Sequence, residues 1–132
     1  MHKTVSRLTM AALLLALVCA GCSQAKQTND APSAVESYLQ ALVKQDLNQM
    51  IAASCADWEA QAKVEHDSFS AVKLELQDLS CEEVGSDGEL KLINCSGSII
   101  ANYGAEDLEI DVADRTYQVK SEGGVWRMCG YR

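Results

Sequence analysis

The sequence predicts an α+β domain in which helices come first and a strongly curved, mostly antiparallel sheet of about four strands follows. The periodicity of the apolar residues indicates this fold class. These residues recur every three or four positions from residue 33 to about residue 67, and at every second position from residue 72 onward. At two places the alternation slips by one position, where a β-bulge would bend the strand and keep its apolar face inward. Helices followed by a run of strands are typical of α+β domains.

Three helices are predicted before the sheet. The first begins at a capping box, Ser33–Glu36, directly after Pro32. The second begins at Asp46, a residue type that caps helices, and the third extends from Ala56 to about Asp67. The apolar face of the first helix consists of Val35, Tyr38, Leu39 and Leu42.

The first two strands are predicted from alternation and from turn residues. The first strand begins at Val72, contains a bulge near Gln77–Asp78, and ends at a turn over Gly85–Gly88. The second strand has the clearest alternation in the chain. Its inward face consists of Cys95, Gly97, Ile99, Ala101 and Tyr103.

The third strand is predicted to continue past a second bulge, around Asp114–Arg115. The pair Gly123-Gly124 then turns the chain into a last strand, Val125–Tyr131. The inward face of the third strand consists of Leu108, Ile110, Val112, Tyr117 and Val119.

Residues 32–132 resemble the nuclear transport factor 2-like (cystatin-like) superfamily, and more narrowly its small bacterial lipoproteins whose domain has no assigned function. The segment Ala34–Leu42 followed by Asp46, and the ending Gly124–Tyr131, carry the resemblance. It implies a cone-shaped fold with the sheet wrapped around the helices. It also implies a homodimer through the open sheet, because members of the superfamily often pair in this way.

The N-terminus is typical of an export signal. Lys3 and Arg7 precede an almost wholly apolar run, Leu8–Val18. This run is too short for a permanent transmembrane helix, which needs ~20 residues. A transmembrane anchor is therefore the least favoured reading of the segment.

A lipid anchor is predicted at Cys22. The small residues Ala20 and Gly21 directly before it resemble the lipobox of bacterial lipoproteins, although Cys19 stands where that family usually has Leu. The resemblance implies that the signal is cut before Cys22 and that the cysteine carries the lipid. The alternative is an ordinary secretory signal that is cut at Ala20 or Gly21.

The chain therefore divides into a signal peptide (1–21), a lipidated cysteine with a flexible tether (22–31) and one domain (32–132). The segment Ser23–Asp30 is polar and spans at most ~29 Å when fully extended. The domain is expected at the cell envelope, held to the membrane through the lipid. Ser23 in the second mature position favours the outer membrane if the host has one, and otherwise the outer face of the cell membrane.

The composition is acidic. The chain has 19 Asp and Glu against 11 Lys and Arg, a net charge of −8, and two of the basic residues leave with the signal peptide. A surface of this sign repels phosphates, so nucleic acid is not an expected partner.

Four cysteines remain in the domain after Cys19 is removed and Cys22 is lipidated, an even number in an oxidising compartment. They are too widely spaced for a typical zinc site, so two disulfides are expected, with three pairings to choose from. The four residues are Cys55, Cys81, Cys95 and Cys129.

The positions of the cysteines favour one pairing. Cys81 and Cys95 are centred on Gly88, so a hairpin would place them opposite each other on one face. That bond would close a loop of about 15 residues and stabilise the domain by roughly 3 kcal/mol. Cys55, between helices, would then pair with Cys129 on the last strand.

The sequence contains no motif for catalysis or for a cofactor. His66 lies between two carboxylates, but consecutive residues on a helix point in different directions and cannot converge, so a solvated helix end is predicted. We expect no cofactor, no metal and no enzymatic activity.

The interior of the cone is predicted to be mostly apolar, which suits a small apolar ligand better than it suits catalysis. A cone filled by its own side chains is the alternative, and Trp126 is predicted to belong to the core. The candidate pocket residues are Tyr38, Leu42, Trp58, Ile99, Tyr103, Ile110, Tyr117 and Arg127.

Three classes of function follow from these observations. The first is a non-enzymatic binding domain with a small apolar ligand in the cone. The second is an interaction module for an envelope protein, with a filled interior and the outer sheet face, where the acidic run Glu106–Asp114 lies, as its contact surface. An enzyme with a polar site in the cone is the least favoured class.

Overall fold

The computed structural model describes residues 29–132, and these residues form an α+β domain, as predicted. The signal peptide, Cys22 and the tether up to residue 28 lie outside the described residues. The helices are α1 (Ala31–Val43), α2 (Leu47–Ala53) and α3 (Glu59–Ser68), with a 3₁₀ turn at Ala56–Trp58. The strands are β1 (Lys73–Asp87), β2 (Leu90–Asn102), β3 (Asp107–Asp111), β4 (Thr116–Glu122) and β5 (Val125–Tyr131).

The sheet is antiparallel and its long central strand is β2. β1 pairs along the length of β2, and the other edge of β2 is shared by β4, opposite Leu90–Asn94, and by β3, opposite Ser98–Asn102. β5 pairs with β4, which gives the order β1-β2-β4-β5 with β3 beside β2. Most of the sheet is not curled, whereas the sequence predicts strong curvature.

The sheet has five strands where the sequence predicts about four, because the predicted third strand is interrupted. A 3₁₀ turn at Val112–Asp114 separates β3 from β4 at the place where a bulge was expected. The Asp111 carboxylate stabilises this turn by accepting a hydrogen bond from the backbone N–H of Ala113 at 2.8 Å. The slip in the alternation thus marks a short helical turn and not an extra strand residue.

The bulge near Gln77–Asp78 is confirmed. The register between β1 and β2 shifts between Gln77 and Ser80, and Asp78 has a φ of 51°. Gly97 lies opposite, and a Cβ there would be 2.5 Å from the Gln77 carbonyl oxygen, so only glycine fits.

The first hairpin turn lies later than predicted. A second register shift, between Glu83 and Gly85, allows β1 to continue to Asp87. Asp87 pairs with Leu90, so the loop between the two strands has only two residues. The first three residues of the turn predicted over Gly85–Gly88 therefore belong to β1.

The capping box predicted at Ser33 is wrong because the helix starts earlier. Asp30 caps α1, and its carboxylate accepts hydrogen bonds from the backbone N–H of Ser33, at 2.9 Å, and from the Ser33 hydroxyl. Glu36 does not take part in capping. Its carboxylate accepts a hydrogen bond from the backbone N–H of Cys81 at 3.1 Å, which connects α1 to β1. Asp46 caps α2 as predicted.

The helices cover the inner face of the sheet, and α1 contacts β1 and β5 across the core. The interior between the layers is filled by the protein's own side chains. The largest fully buried side chains include Tyr38, Tyr117, Leu39, Met50, Ile93 and Met128.

The described residues form two disulfides, in the pairing that the sequence favours. Cys81 and Cys95 lie directly opposite each other on β1 and β2, with 4.0 Å between their Cα atoms. Cys55 is bonded to Cys129, which fastens the segment after α2 along β5. Next to this bond the backbone N–H of Cys55 donates to the Met128 carbonyl at 2.8 Å.

Within residues 29–132, no helix has the length and apolarity needed to span a membrane.

Candidate functional site

The candidate pocket residues do not surround an open space. Tyr38, Leu42, Ile99 and Tyr117 are buried in the core, and Trp58 and Ile110 pack against it. None of these residues lines the open groove described below. The interior where the sequence places an apolar ligand is therefore occupied by side chains.

The prediction that Tyr103 faces the interior is wrong. β2 ends at Asn102, and Tyr103 belongs to the following turn, where its backbone N–H donates to the Glu106 carbonyl. Its side chain is 55% exposed. Leu108, predicted to face inward from β3, is 51% exposed as well. Alternation identifies the face of a strand, but it does not show where the covering helices end.

Arg127 also has a different place from the one predicted. Its guanidinium donates to the backbone carbonyl of Ala52, in the last turn of α2. The carbonyls of a last helical turn lack partners within the helix, and a cation there is favoured by the helix dipole. Arg127 thus fastens α2 to β5 and brings no polarity to the interior.

A closed polar cluster lies at the end of the core near the C-terminus. Glu65 on α3 accepts hydrogen bonds from the hydroxyls of Tyr38 and Tyr131, each at 2.6 Å. The indole N–H of Trp58 donates to the Tyr38 hydroxyl at 3.3 Å. We call these four residues, Glu65, Tyr38, Tyr131 and Trp58, the Glu65 cluster.

The environment of the cluster raises the pKa values of its tyrosines. Burial is the main cause for Tyr38, and the hydrogen bond to Glu65 and its charge add to it, which places the pKa well above the usual value near 10. The same causes raise the pKa of Tyr131 to about 12. Both hydroxyls are therefore protonated donors at neutral pH, which is the state that Glu65 requires.

Aromatic contacts surround the cluster. The Tyr131 ring lies edge-on to Trp58, with 5.5 Å between ring centroids, and edge-on to Tyr117, at 5.9 Å. The Arg115 guanidinium lies 4.1 Å from the centre of the Tyr131 ring, as in a cation–π contact. Gly130 allows the close approach of Trp58, because a Cβ there would lie 3.2 Å from its ring.

The Tyr117 hydroxyl is buried and has no hydrogen-bond partner among the described residues. Burial raises the pKa of Tyr117, although the nearby charge of Arg115 opposes the shift.

The sequence indicates Glu65 only as a neighbour of His66. Nothing in its spacing indicates that two tyrosines from distant elements would bind it.

His66 is not the solvated helix end that the sequence predicts. Its side chain is only 19% exposed, and its Nε2 lies 3.2 Å from the backbone carbonyl of Gln45. Gln45 in turn donates through its side-chain amide to the carbonyls of Phe69 and Val72. His66 therefore joins the α1–α2 turn to the end of α3.

Within residues 29–132 no group of His, Cys, Asp or Glu residues could hold a metal ion.

An open groove with a volume of about 500 Å³ lies between α1, α2 and the start of β5. We call it the α1–β5 groove. It is lined by Asn29, Asp30, Ser33, Ala34, Ser37, Gln40, Gln49, Ala52, Ala53, Val125 and Trp126.

Several contacts hold the walls of the groove in place. Asn29 donates to the Gly124 carbonyl at 3.3 Å, which fixes the entry of the chain against the β4–β5 turn. Gln49 donates to the Asp46 carboxylate at 2.7 Å. On α1, Gln40 is exposed, and its amide has no hydrogen-bond partner among the described residues.

Trp126 forms the aromatic part of the groove. It is paired with Ser121 on β4 and is only partly buried, so one part of its ring packs on the core and another faces the groove. Its indole N–H has no hydrogen-bond partner among residues 29–132. Sequence reasoning assigned Trp126 to the core and missed the groove, since its walls come from three separate stretches of the chain.

No protein-family model matches the chain, and no curated protein matches it at a significant level. Among solved structures, it is similar to a SEC-C motif containing protein from Rhodopseudomonas palustris, studied in solution. The identity is 12%, the TM-score is 0.48, and the match covers 76% of this chain and 75% of the other. A similarity of this extent supports no inference about activity.

Proposed function

We propose that the chain is a lipid-anchored protein of the cell envelope whose domain binds a ligand in the α1–β5 groove without transforming it. The observation that carries this proposal is the contrast between a filled interior and an open groove of about 500 Å³. That volume is within the ~300–1,000 Å³ of typical ligand sites. The groove therefore replaces the cone interior as the binding site in the proposal.

The lining of the groove supports binding over catalysis. Asp30 is the one ionisable residue among those that line it, and its carboxylate already caps α1. General acid–base chemistry needs a titratable side chain that is free to exchange a proton with the substrate. Asp30 Oδ1 already accepts hydrogen bonds from the backbone N–H and the hydroxyl of Ser33, which holds the start of α1 in place.

The anchor places the groove close to a membrane in this proposal. Asn29, at the rim of the groove, follows Cys22 by seven residues, which span at most ~25 Å. An acyl chain contributes about 0.8 kcal/mol for each buried methylene, so two or three chains on Cys22 hold the protein firmly. For the domain we also propose a nuclear transport factor 2-like relationship, supported by helices that precede and cover an antiparallel sheet. An experimental structure in which the helices do not cover the sheet would reject it.

A second candidate function is the envelope interaction module. On the outer face of the sheet, Glu75, Ile100 and Glu109 lie side by side across β1, β2 and β3, and Gln77, Ser98 and Asp111 form the next row. This polar and acidic face could contact a basic envelope protein. The filled interior is compatible with both candidates.

Photo-crosslinking in the cell distinguishes the two candidates. p-Benzoylphenylalanine replaces Gln40 in the groove in one variant of the lipidated full chain, and replaces Glu109 on the outer face in a matched control. The groove proposal expects a crosslinked adduct from position 40 and none from position 109. Adducts from position 109 alone would favour the interaction module, and the absence of both would reject binding at either face.

A further inference from the structure

We infer that the α1–β5 groove takes a neutral saccharide, an inference that rests on the proposed function and names its ligand class. The groove combines one aromatic ring with hydroxyl and amide side chains and has no cation in its lining. Each of these features narrows the chemistry of the ligand.

Charge argues against ionic ligands. None of the lining residues is Lys, Arg or His, so a phosphate or carboxylate would lose its hydration without gaining a counter-charge. The acidic chain, with a net charge of −8, repels anions further. A cation would find only Asp30, whose Oδ1 is already engaged by Ser33.

Polarity argues against an apolar ligand. The walls of the groove contain hydroxyl and amide side chains beside a single large ring, and the Gln40 amide and the Trp126 indole N–H have no hydrogen-bond partner among the described residues. An apolar molecule that covered these two groups would remove water from them and offer no hydrogen bond in return, which disfavours its binding. A ligand that fits must therefore carry hydrogen-bond donors and acceptors.

A sugar ring meets both requirements. Its C–H face can stack on the Trp126 indole, whose π-face is negative, and the partly buried ring is already held in place by β5. Gln40 offers an amide donor and an amide acceptor at the same distance from the backbone, which suits neighbouring hydroxyls or an N-acetyl group. The indole N–H of Trp126 supplies one further donor.

Two sources in the envelope present this chemistry. One is a free glycan chain of the cell wall, and the other is the neutral headgroup of a glycolipid. The distance of at most ~25 Å along the chain between Cys22 and Asn29 leaves both within reach of the groove. The shared element is the uncharged pyranose ring with its hydroxyls.

The test uses the lipidated mature protein, labelled with ¹⁵N, in a zwitterionic detergent without a sugar headgroup for the soluble probes and reconstituted without detergent for the vesicle probes. The chain has two tryptophans, so its spectrum contains two indole N–H signals. The Trp58 indole is bonded to Tyr38 inside the Glu65 cluster and serves as an internal control. The probes are the β-1,4-linked trimer of N-acetylglucosamine, maltotriose, and phosphatidylcholine vesicles with and without glucosyldiacylglycerol.

The saccharide inference expects the Trp126 signal to shift with at least one sugar probe while the Trp58 signal stays in place. Trp126→Phe identifies the signal. Trp126→Ala lacks this signal, so its binding is followed through the backbone amide signals of the groove residues, and it should be about tenfold weaker because stacking is worth about 1.4 kcal/mol. Gln40→Ala should weaken it less, and Glu109→Ala on the outer face should leave it unchanged.

The outcomes separate the inference from the proposed function. A response to the soluble trimers points to a glycan chain, and a response only to glycolipid vesicles points to a headgroup. No response to any sugar, together with adducts from position 40 in the cell, overturns the saccharide and leaves the groove as a binding site. No response and no adduct would overturn both.

Discussion

Two aromatic residues on β5, Tyr131 and Trp126, face the helices from opposite ends of one strand and lie in opposite surroundings. Tyr131 donates to Glu65, stacks edge-on against Trp58 and is part of a closed cluster. Trp126 is covered on one side only and lines the open groove. One end of the strand therefore lies in a cluster whose polar groups bind each other, and the other end lies in a groove where the Gln40 amide and the Trp126 indole N–H have no partner among the described residues.

The difference between the two ends comes from what covers them. α3 brings Glu65 over the end of the strand, where the carboxylate accepts from two tyrosines. At the other end α1 and α2 line the groove, and Arg127 and Asn29 fix its walls without filling the space between them. Polar groups that satisfy each other stabilise a fold, whereas polar groups held open are available to a ligand.

The largest expected effect concerns the disulfide that fastens the middle of β5. The double variant Cys55→Ala/Cys129→Ala should lower the free energy of unfolding by about 4.5 kcal/mol, because the bond closes a loop with a sequence separation of 74. The pair Cys81→Ala/Cys95→Ala, with a separation of 14, should cost about 3 kcal/mol. Urea unfolding of both variants measures the order, and an inverted order would show that loop closure does not govern their contributions.

The next effect tests whether the Glu65 cluster is structural. Glu65→Leu leaves two tyrosine hydroxyls without their acceptor and should lower the free energy of unfolding by about 2–4 kcal/mol. Glu65→Gln keeps an acceptor and should cost less. Gln61→Leu, at an exposed position of the same helix, is the control and should change stability by less than about 0.5 kcal/mol. Equal effects at positions 61 and 65 would mean that the cluster contributes nothing.

The same cluster predicts how stability depends on pH. The pKa of Tyr131 is raised to about 12 in the folded protein, from a value near 10 when unfolded. Between these values the unfolded chain loses a proton that the folded protein retains, so stability is intact below pH 10 and falls as the pH rises toward 12. Thermal unfolding between pH 8 and 11 measures this, and Tyr131→Phe should flatten the decline. A melting temperature that stays constant over this range would contradict the raised pKa.

The fold class and the Cys81–Cys95 disulfide could be predicted because both depend on local pattern, and the Cys55–Cys129 disulfide then follows as the remaining pair. Alternation gives the faces of β1 and β2, and the symmetric placement of Cys81 and Cys95 about a turn makes them cross-strand partners. The extra strand was missed because a bulge and a short 3₁₀ turn shift the alternation by the same single position. Local pattern does not distinguish the two.

The sites were harder to predict than the strands. The sequence predicts Tyr38 and Tyr117 as pocket residues because an aromatic residue with a hydroxyl suits a pocket as well as a core, whereas both are buried in the core. The acceptor for Tyr38 lies 27 residues away on another helix, and the groove joins α1, α2 and β5. Which elements cover a face, and where they stop, depends on packing at long range that residue spacing does not encode.

The smallest expected effect completes the comparison between the two ends. Gln40→Leu in the groove makes the same kind of change as Glu65→Leu in the cluster, since each replaces a polar side chain on a helix with leucine. Gln40 is exposed and its amide has no partner among the described residues, so its loss should change the free energy of unfolding by less than about 0.5 kcal/mol. Urea unfolding of both variants under the same conditions makes the measurement. A loss above about 1 kcal/mol at position 40 would show that its amide is engaged in the folded protein. The groove would then be a second closed cluster, and the distinction between the two ends of β5 would fail.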